Sequence, residues 1–370
     1  MKEIYLDYNA STPIDAEVAK AMLPFLEDAW GNPSSLHWAS QRAKAAYLAA
    51  KVQIADRIGA HASQIVLTSG GSEADNLAIK GIFFSKSAKG KHIVTSSIEH
   101  PAVLEPLSFL TRFGAEITYL PVDSLGRVDP ADLIKAIRSD TILVSIMHAN
   151  NEIGTIQDIA TLGSIAHERG VLFHTDAAQS VGKIPIDVQA MHVDMLTIAG
   201  HKVYAPKGVG ALYVGDGVDI EPLVHGGPQE AGRRAGTESA LLAVALGKAC
   251  AIAQVPDPKT EGLREYFITR LKQNFGEGVF FNGDPGNSLP NTVNVSFLGY
   301  NGADILGSLP MIAASTGSAC HSGNANLSGI FRAIGASEER ARGAIRFSLG
   351  RFTTKGELER VVALLETVIH

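Results

Sequence analysis

The stretch Leu196–Val214, LTIAGHKVYAPKGVGALYV, decides how the rest of the chain reads. Two short apolar runs flank Gly200-His201-Lys202, and a Pro206-Lys207-Gly208 turn follows. A lysine set between buried strands is costly unless its amine is used. A desolvated lysine also sheds its proton easily, which suits Schiff-base chemistry with an aldehyde. The ordinary alternative, a solvated lysine at a hairpin turn, fits Lys207 better. Upstream, the apolar run beginning at Val171 ends near Asp176, and a carboxylate there is costly without a partner. A salt bridge or a helix cap would serve it, and so would a ring nitrogen. An amine for an aldehyde and a carboxylate for a pyridine nitrogen are the two protein groups that pyridoxal phosphate needs most.

Outward from this stretch, β-rich runs alternate with helical ones. Helices are predicted over Ala16–Trp30, with Asp15 as N-cap and Gly31-Asn32-Pro33 as the stop, and over Gln41–Ile58. Strands are predicted at Ile65–Leu67, His92–Thr95, Glu116–Leu120, Ile142–Met147, Val171–His174 and Met195–Ile198. Such alternation predicts a mainly parallel sheet covered by helices on both faces, with ligands beyond the carboxyl ends of its strands. The chemically unusual residues lie just after those runs: Ser69-Gly70-Gly71-Ser72, His100, Asn150-Asn151, Asp176 and His201-Lys202. Val255–Lys259, rich in proline and charge, reads as a boundary. Beyond it the pattern becomes α+β: a helix over Glu261–Asn274, strands at Val279–Phe281, Thr292–Phe297 and Ala344–Leu349, and a last helix from Lys355.

The 370 residues, 45% hydrophobic and 19% charged, describe a globular chain with one large domain and a smaller one. A net charge of −6 argues against a general nucleic-acid binder. The start, MKEIYLDYNASTP, has no apolar segment of signal-peptide type. The longest apolar stretch, Ala240–Val255, is interrupted by Gly247 and Lys248 and reads as a buried helix, so no membrane association is expected. Two cysteines, Cys250 and Cys320, make no disulfide scaffold, and a reducing cytoplasm is the expected location.

Several further residues carry two readings each. The small residues of Thr68–Glu73 admit an anion to backbone N–H groups at a helix start, or simply form a strand-to-helix turn capped by Ser72. His100 could stack on a ring and move protons, or cap a helix. Asn150-Asn151 could be a turn. Cys320, in a run of small polar residues before His321, predicts a loop with a reactive thiol, whereas Cys250 in an alanine-rich helix predicts an inert one. A zinc site is the weaker reading of Cys320-His321, because no second ligand pair has the right spacing, and no metal is expected. Arg346 alternates with Ser348 on a strand and could fork onto a carboxylate or sit in a sheet-edge ion pair. Arg233–Thr237 could reach a phosphate or a partner subunit.

Read together, YLDYNASTP, GNPSSLH, TSGGSEADNLAIKG, EHPAVL, MHANNEIGTIQDI, HTDAAQSVGKIPID, AGHKVYAPKGVGALYV, RRAGTE, STGSACHSG and IRFSLGRFTT resemble, in order and nearly end to end, the class I cysteine desulfurases of the NifS and IscS type. The resemblance implies the fold type I architecture of pyridoxal 5′-phosphate enzymes. That is a large α/β domain (15–255) with a mainly parallel seven-stranded sheet between helices, and a smaller α+β domain (1–14 and 256–370) carrying the cysteine loop. It implies that Lys202 holds the cofactor's aldehyde and Asp176 its ring nitrogen. Gln179 and Asn151 would bond the ring hydroxyl, and His100 would stack on the ring. Gly71, Ser72 and His201 would hold the phosphate, with Thr237 reaching it from the second subunit of a homodimer. Arg346, helped by Asn32, would take the carboxylate of L-cysteine or L-selenocysteine, and Cys320 would take the sulfur as a persulfide for an acceptor or iron–sulfur scaffold protein. The chain departs from the family pattern at Gly71-Ser72 (usually Ala-Thr), at Ala199, where a serine is common, and at Cys320-His321-Ser322 (commonly Cys-Thr-Ser). Selenocysteine lyases and the desulfurases of DNA phosphorothioation share Ala-Cys-His-Ser. Rival expectations are a selenocysteine lyase, an aminotransferase of the same fold, and a silent scaffold that docks sulfur carriers.

Overall fold

The computed structural model describes residues 3–316 and 328–370. In chain order its strands are β1 (Ile4–Tyr5), β2 (Ile65–Thr68), β3 (His92–Ser96), β4 (Glu116–Leu120), β5 (Thr141–Ser145), β6 (Leu172–Asp176), β7 (Met195–Ala199), β8 (Gly210–Val214), β9 (Val279–Asn282), β10 (Thr292–Phe297), β11 (Ile312–Ala313) and β12 (Ala344–Ser348). Among the described residues the largest sheet has seven strands in the order β2-β8-β7-β6-β5-β3-β4. It is parallel except at β8, which runs antiparallel to both β2 and β7. The reason is local. Residues 200–209 between β7 and β8 form a short turn rather than a crossover helix, and only antiparallel neighbours can be joined that way.

Every residue of β3, β5, β7 and β8 is buried, as in a sheet covered on both faces. The alternation of side chains divides the core into two layers. Val94, Val144, Leu196 and Tyr213 pack on one face. Their neighbours Ile93, Leu143, Met195 and Leu212 pack on the other. The helices α1 (Ala16–Glu27), α2 (Trp38–Asp56), α3 (Gly71–Lys86), α4 (Pro101–Thr111), α5 (Pro130–Ala136), α6 (Ile159–Glu168) and α7 (Ala240–Ile252) surround this sheet. The first helix stops at Glu27, short of the expected Trp30, and Asp15 caps it as the sequence predicts. The second begins at Trp38 rather than Gln41. The apolar Ala240 stretch is the buried α7, packed on α1 and α2. No helix among the described residues is long and apolar enough to cross a membrane.

A second, antiparallel sheet, β12-β10-β9, has its own core with Phe267, Phe297 and Phe347 at its centre. The chain's start joins that unit: β1 pairs in parallel with β11, and Asp7 bridges to Ser348. Residues 7–10 therefore run along the edge of the second sheet and past the carboxyl ends of the first, which places them at the site.

Candidate active site

A cavity of about 370 Å³ opens beyond the carboxyl ends of the parallel strands. Gly71, Ser72, His100, Asn151, Asp176, Gln179, His201, Lys202 and Arg346 all line it. Lys202 ends a single turn, Gly200–Lys202, that follows β7 directly. That turn is tight: a Cβ at Gly200 would meet the Val209 carbonyl oxygen at 2.7 Å. The Lys202 amine donates to the carbonyls of Asn9 and Ala10. Burial pushes its pKa down to about 8, helped by the Arg346 charge and opposed by Asp176 and Asp7. An amine that loses its proton this readily is a nucleophile near neutral pH.

Asp176 closes β6, and its Oδ1 accepts the Ala178 N–H at 2.8 Å. Burial raises its pKa against that hydrogen bond and the charges of His100 and Lys202. A buried carboxyl in this state holds a proton against a basic ring nitrogen. His100 caps α4 by accepting the Ala102 N–H on Nδ1 at 3.1 Å. Burial favours the neutral imidazole. With Nδ1 an acceptor, the remaining proton sits on Nε2. The capping and the catalytic readings of His100 are thus compatible in one geometry.

The start of α3 has Gly70 at φ 155° and no capping side chain. Its first-turn N–H groups and the helix dipole favour an anion. A Cβ on Gly71 would stand 3.3 Å from the Cβ of Ala199, so the two departures from the family pattern face each other across this cradle. His201 is held neutral, its pKa lowered to about 4 by burial and three nearby lysines, with Nδ1 3.3 Å from Ser11 Oγ.

Arg346, on β12, forms an ion pair with Asp7 at 2.6 Å and donates to the Asn151 carbonyl at 2.9 Å. The sheet-edge ion pair and the placement in the cavity therefore coexist. Asn32 is exposed and caps its own turn through Ser34, away from the cavity. Thr237 is exposed beside a separate small cavity that also borders Tyr47 and Glu230. Cys320 lies outside the described residues. Cys250 is buried in α7 with its thiol pushed up to about 12, as expected of an inert cysteine.

Three residues at the site escaped the sequence reading. Asn9 accepts Gln179 Nε2 on its carbonyl at 2.9 Å and donates to Thr292 Oγ1 at 2.8 Å, linking both sheets. Asp75, on α3, is 1% exposed and lines the cavity; its Oδ1 accepts no hydrogen bond and lies 3.6 Å from His174 Nε2. Burial, then the charge of Asp176, keeps Asp75 well above the carboxylate range. Glu99 accepts from Ser96 Oγ and the Met147 N–H, and burial raises it to about 8. The only sequence signal for Asp75 and Glu99 was a carboxylate beside apolar residues.

The donor set fits pyridoxal 5′-phosphate. It offers a deprotonating lysine, a proton-holding carboxyl, a flat imidazole, an amide, and a side-chain-free cradle at a helix start. A mainly parallel sheet with this lysine after β7 and this carboxyl at the end of β6 defines a fold type I pyridoxal-phosphate enzyme. Residues 4–361 match the aminotransferase class-V family, and the chain belongs to it. The cysteine desulfurase IscS of Dictyoglomus turgidum is 50% identical over 376 aligned residues, covering 100% of this chain and 95% of that protein. The solved structure of a NifS-like protein superposes with a TM-score of 0.91 at 34% identity, covering 99% of each chain. SspA in complex with cysteine superposes with a TM-score of 0.85 at 40% identity, covering 95% of this chain and 99% of that one.

Proposed function

We propose that the chain is a pyridoxal-phosphate-dependent cysteine desulfurase. It would convert L-cysteine to L-alanine and pass the sulfur to its own Cys320 as a persulfide. The convergence of Lys202, Asp176 and Arg346 on one cavity carries the reading, in a chain half identical to an IscS desulfurase over its full length. Lys202 holds the cofactor's aldehyde, and Asp176 keeps its ring nitrogen protonated. Gln179 and Asn151 bond the ring hydroxyl, His100 stacks on the ring, and Gly71, Ser72 and His201 hold the phosphate. When bound, the cofactor supplies an electron sink conjugated to the substrate's α-carbon.

The chain's own residues do the rest. Arg346 exchanges its Asp7 partner for the substrate carboxylate. The Lys202 amine takes the α-proton, and His100, with Nε2–H toward the cavity, passes protons. The Cys320 thiolate attacks the substrate sulfur: its S–S bond forms as the substrate's Cβ–S bond breaks, and the carbon fragment keeps the electron pair and takes up protons to become alanine. No external oxidant or reductant is needed.

The reading extends to a cytoplasmic homodimer that delivers sulfur to iron–sulfur cluster assembly, with Thr237 and Asn32 completing the site across or beside the subunit boundary. Thr237 and the exposed Trp30 and Trp38 support that arrangement. The division into 15–255 and 1–14 with 256–370 is part of the same proposal, supported by the separate core of the second sheet. Mass spectrometry of the loaded protein after incubation with L-cysteine tests it. One added sulfur on the Cys320 peptide, with stoichiometric alanine, is expected. Alanine from selenocysteine and none from cysteine would overturn it.

A further inference from the structure

Lys183 follows β6 and is the residue whose placement the reading above leaves unexplained. Among the described residues its amine forms no ion pair. It is held instead by two amide oxygens, Gln179 Oε1 at 2.7 Å and Asn9 Oδ1 at 3.2 Å. Burial and the charges of Lys202 and Arg346 push its pKa well below the ordinary lysine range. Charged or neutral, the amine keeps N–H groups for both oxygens.

An amide's oxygen and nitrogen are fixed only by what each must meet. With Oε1 turned to Lys183, Gln179 Nε2 donates to the Asn9 carbonyl at 2.9 Å and keeps a second N–H. Gln179 lines the active-site cavity, whereas Lys183 borders a neighbouring one of about 260 Å³ on the other side of Lys202. The same contact locks Asn9. Its Oδ1 also accepts Asn291 Nδ2 at 3.0 Å, its Nδ2 donates to Thr292, and its carbonyl receives the Lys202 amine.

We propose that Lys183 is a positioning residue: from outside the cavity it holds the Gln179 oxygen outward, so that Gln179 presents an N–H and not a carbonyl to the cofactor's ring hydroxyl. This rests on the assignment of Gln179 made above. An N–H donated to the ring oxygen withdraws electron density from the neighbouring protonation site. Its loss, or replacement by a carbonyl, raises the pH at which the cofactor's visible band changes.

The test is a pH titration of that band in the full chain loaded with pyridoxal phosphate, with the melting curve as the fold control. The groups that face Lys202 and also bear on the band are Arg346, Asp176, Asp7, His100, His201 and Lys183, and all but Lys183 stay unchanged. Lys183→Met strands no anion and is expected to raise the midpoint by about 0.5–1 pH unit. Gln179→Leu should do the same, and the double variant no more than either alone, since one residue acts through the other. Lys183→Arg, which keeps the donors, should restore the native midpoint. A Lys183→Met curve that superposes on the native one, or a shift that adds in full to that of Gln179→Leu, overturns the proposal. If Lys183→Met does not fold, Lys183→Ala, which also lacks a donor, is scored against Lys183→Arg on the additivity with Gln179→Leu in the same way. No turnover is measured. A native chain that binds the cofactor and makes no alanine from cysteine would refute the desulfurase reading and leave this one standing.

Discussion

The two ends of the same parallel strands treat charge in opposite ways. At the amino ends of β4 and β5, Arg138 pairs with Glu116 at 2.8 Å and with Asp140 at 2.7 Å, all of them substantially exposed. His92 at the start of β3 is satisfied by Thr141 and Thr118 at 2.7 and 2.8 Å. At the carboxyl ends stand Asp75, Glu99, Asp176 and Lys202, and two of those carboxyls have an oxygen that accepts no hydrogen bond. The contrast is sharpest between two aspartates. Asp140 is lowered, chiefly by its hydrogen bonds to Arg138, and Asp176 is raised, chiefly by burial. One end solves its electrostatics locally. The other leaves them unsolved, and perturbed groups gathered in a cleft are the mark of a site that expects a ligand.

The largest expected effect follows from removing the amine. Lys202→Ala should lose cofactor on desalting, seen as loss of the visible band, and lower alanine formation by roughly 10³-fold or more. A variant that keeps the band and more than a tenth of the rate would erase the functional meaning of the contrast. Asp176→Asn keeps the shape and the Ala178 hydrogen bond but forgoes the negative charge that holds the ring nitrogen's proton. Its rate should fall by roughly 10²-fold with the cofactor still bound. Equal rates for Asp176→Asn and the native chain would reduce Asp176 to a structural carboxylate.

Those two residues were also the most legible in the sequence, and for a physical reason. A charge bordering an unbroken apolar run has few bland explanations, and the runs themselves fix β3, β5 and β7 within a residue or two. Asn9, Asp75 and Lys183 were not legible in the same way. The partners of Asn9, Gln179 and Thr292, are distant in the chain and meet only once both sheets are built. Asp75 sits within a helix whose pattern reads as amphipathic, and Lys183 in a turn where a solvated lysine is the ordinary reading. The two-residue strands β1 and β11 are too short to leave a period. Asn32 came from the family resemblance alone and Thr237 from it together with its basic, glycine-containing segment, and in this chain both lie apart from the cavity.

The pH dependence sharpens the contrast further. Lys202 titrates near 8 in the folded chain, against 10.5 ordinarily. The rate at which the cofactor-free chain takes up pyridoxal phosphate should therefore rise with pH to a midpoint near 8. A midpoint above 10 would mean that burial leaves the amine unperturbed. The sign for stability is the same. Between those two values the unfolded chain binds more protons, so the contribution of Lys202 to stability rises with pH across that window.

Glu99 has the opposite sign. Its folded pKa of about 8 lies above the ordinary 4.5, so the folded chain binds more protons between them and stability falls as pH rises. Glu99→Gln keeps an oxygen for Ser96 and Met147 without that titration. The fall in Tm between pH 5 and pH 8 should be several degrees shallower in the variant, with little difference between the proteins at pH 5. Parallel Tm–pH curves would show that Glu99 is not the buried acid its surroundings suggest.

The smallest effect belongs to the other end of the strands. Arg138→Ala removes two short ion pairs, yet both carboxylates return to water, where an exposed pair contributes little. Desulfuration should stay within about twofold of native and Tm within about 3 °C. The measurement is worth making because salt discriminates between the ends. Any loss at Arg138 should vanish by about 1 M salt, where the Debye length falls to ~3 Å. The losses at Asp176 and Lys202 should persist, since their partners lie inside the fold, out of reach of screening ions. A salt-insensitive defect at Arg138 would mean that the amino ends of the strands also hold the site in place, and the two ends would no longer be separable.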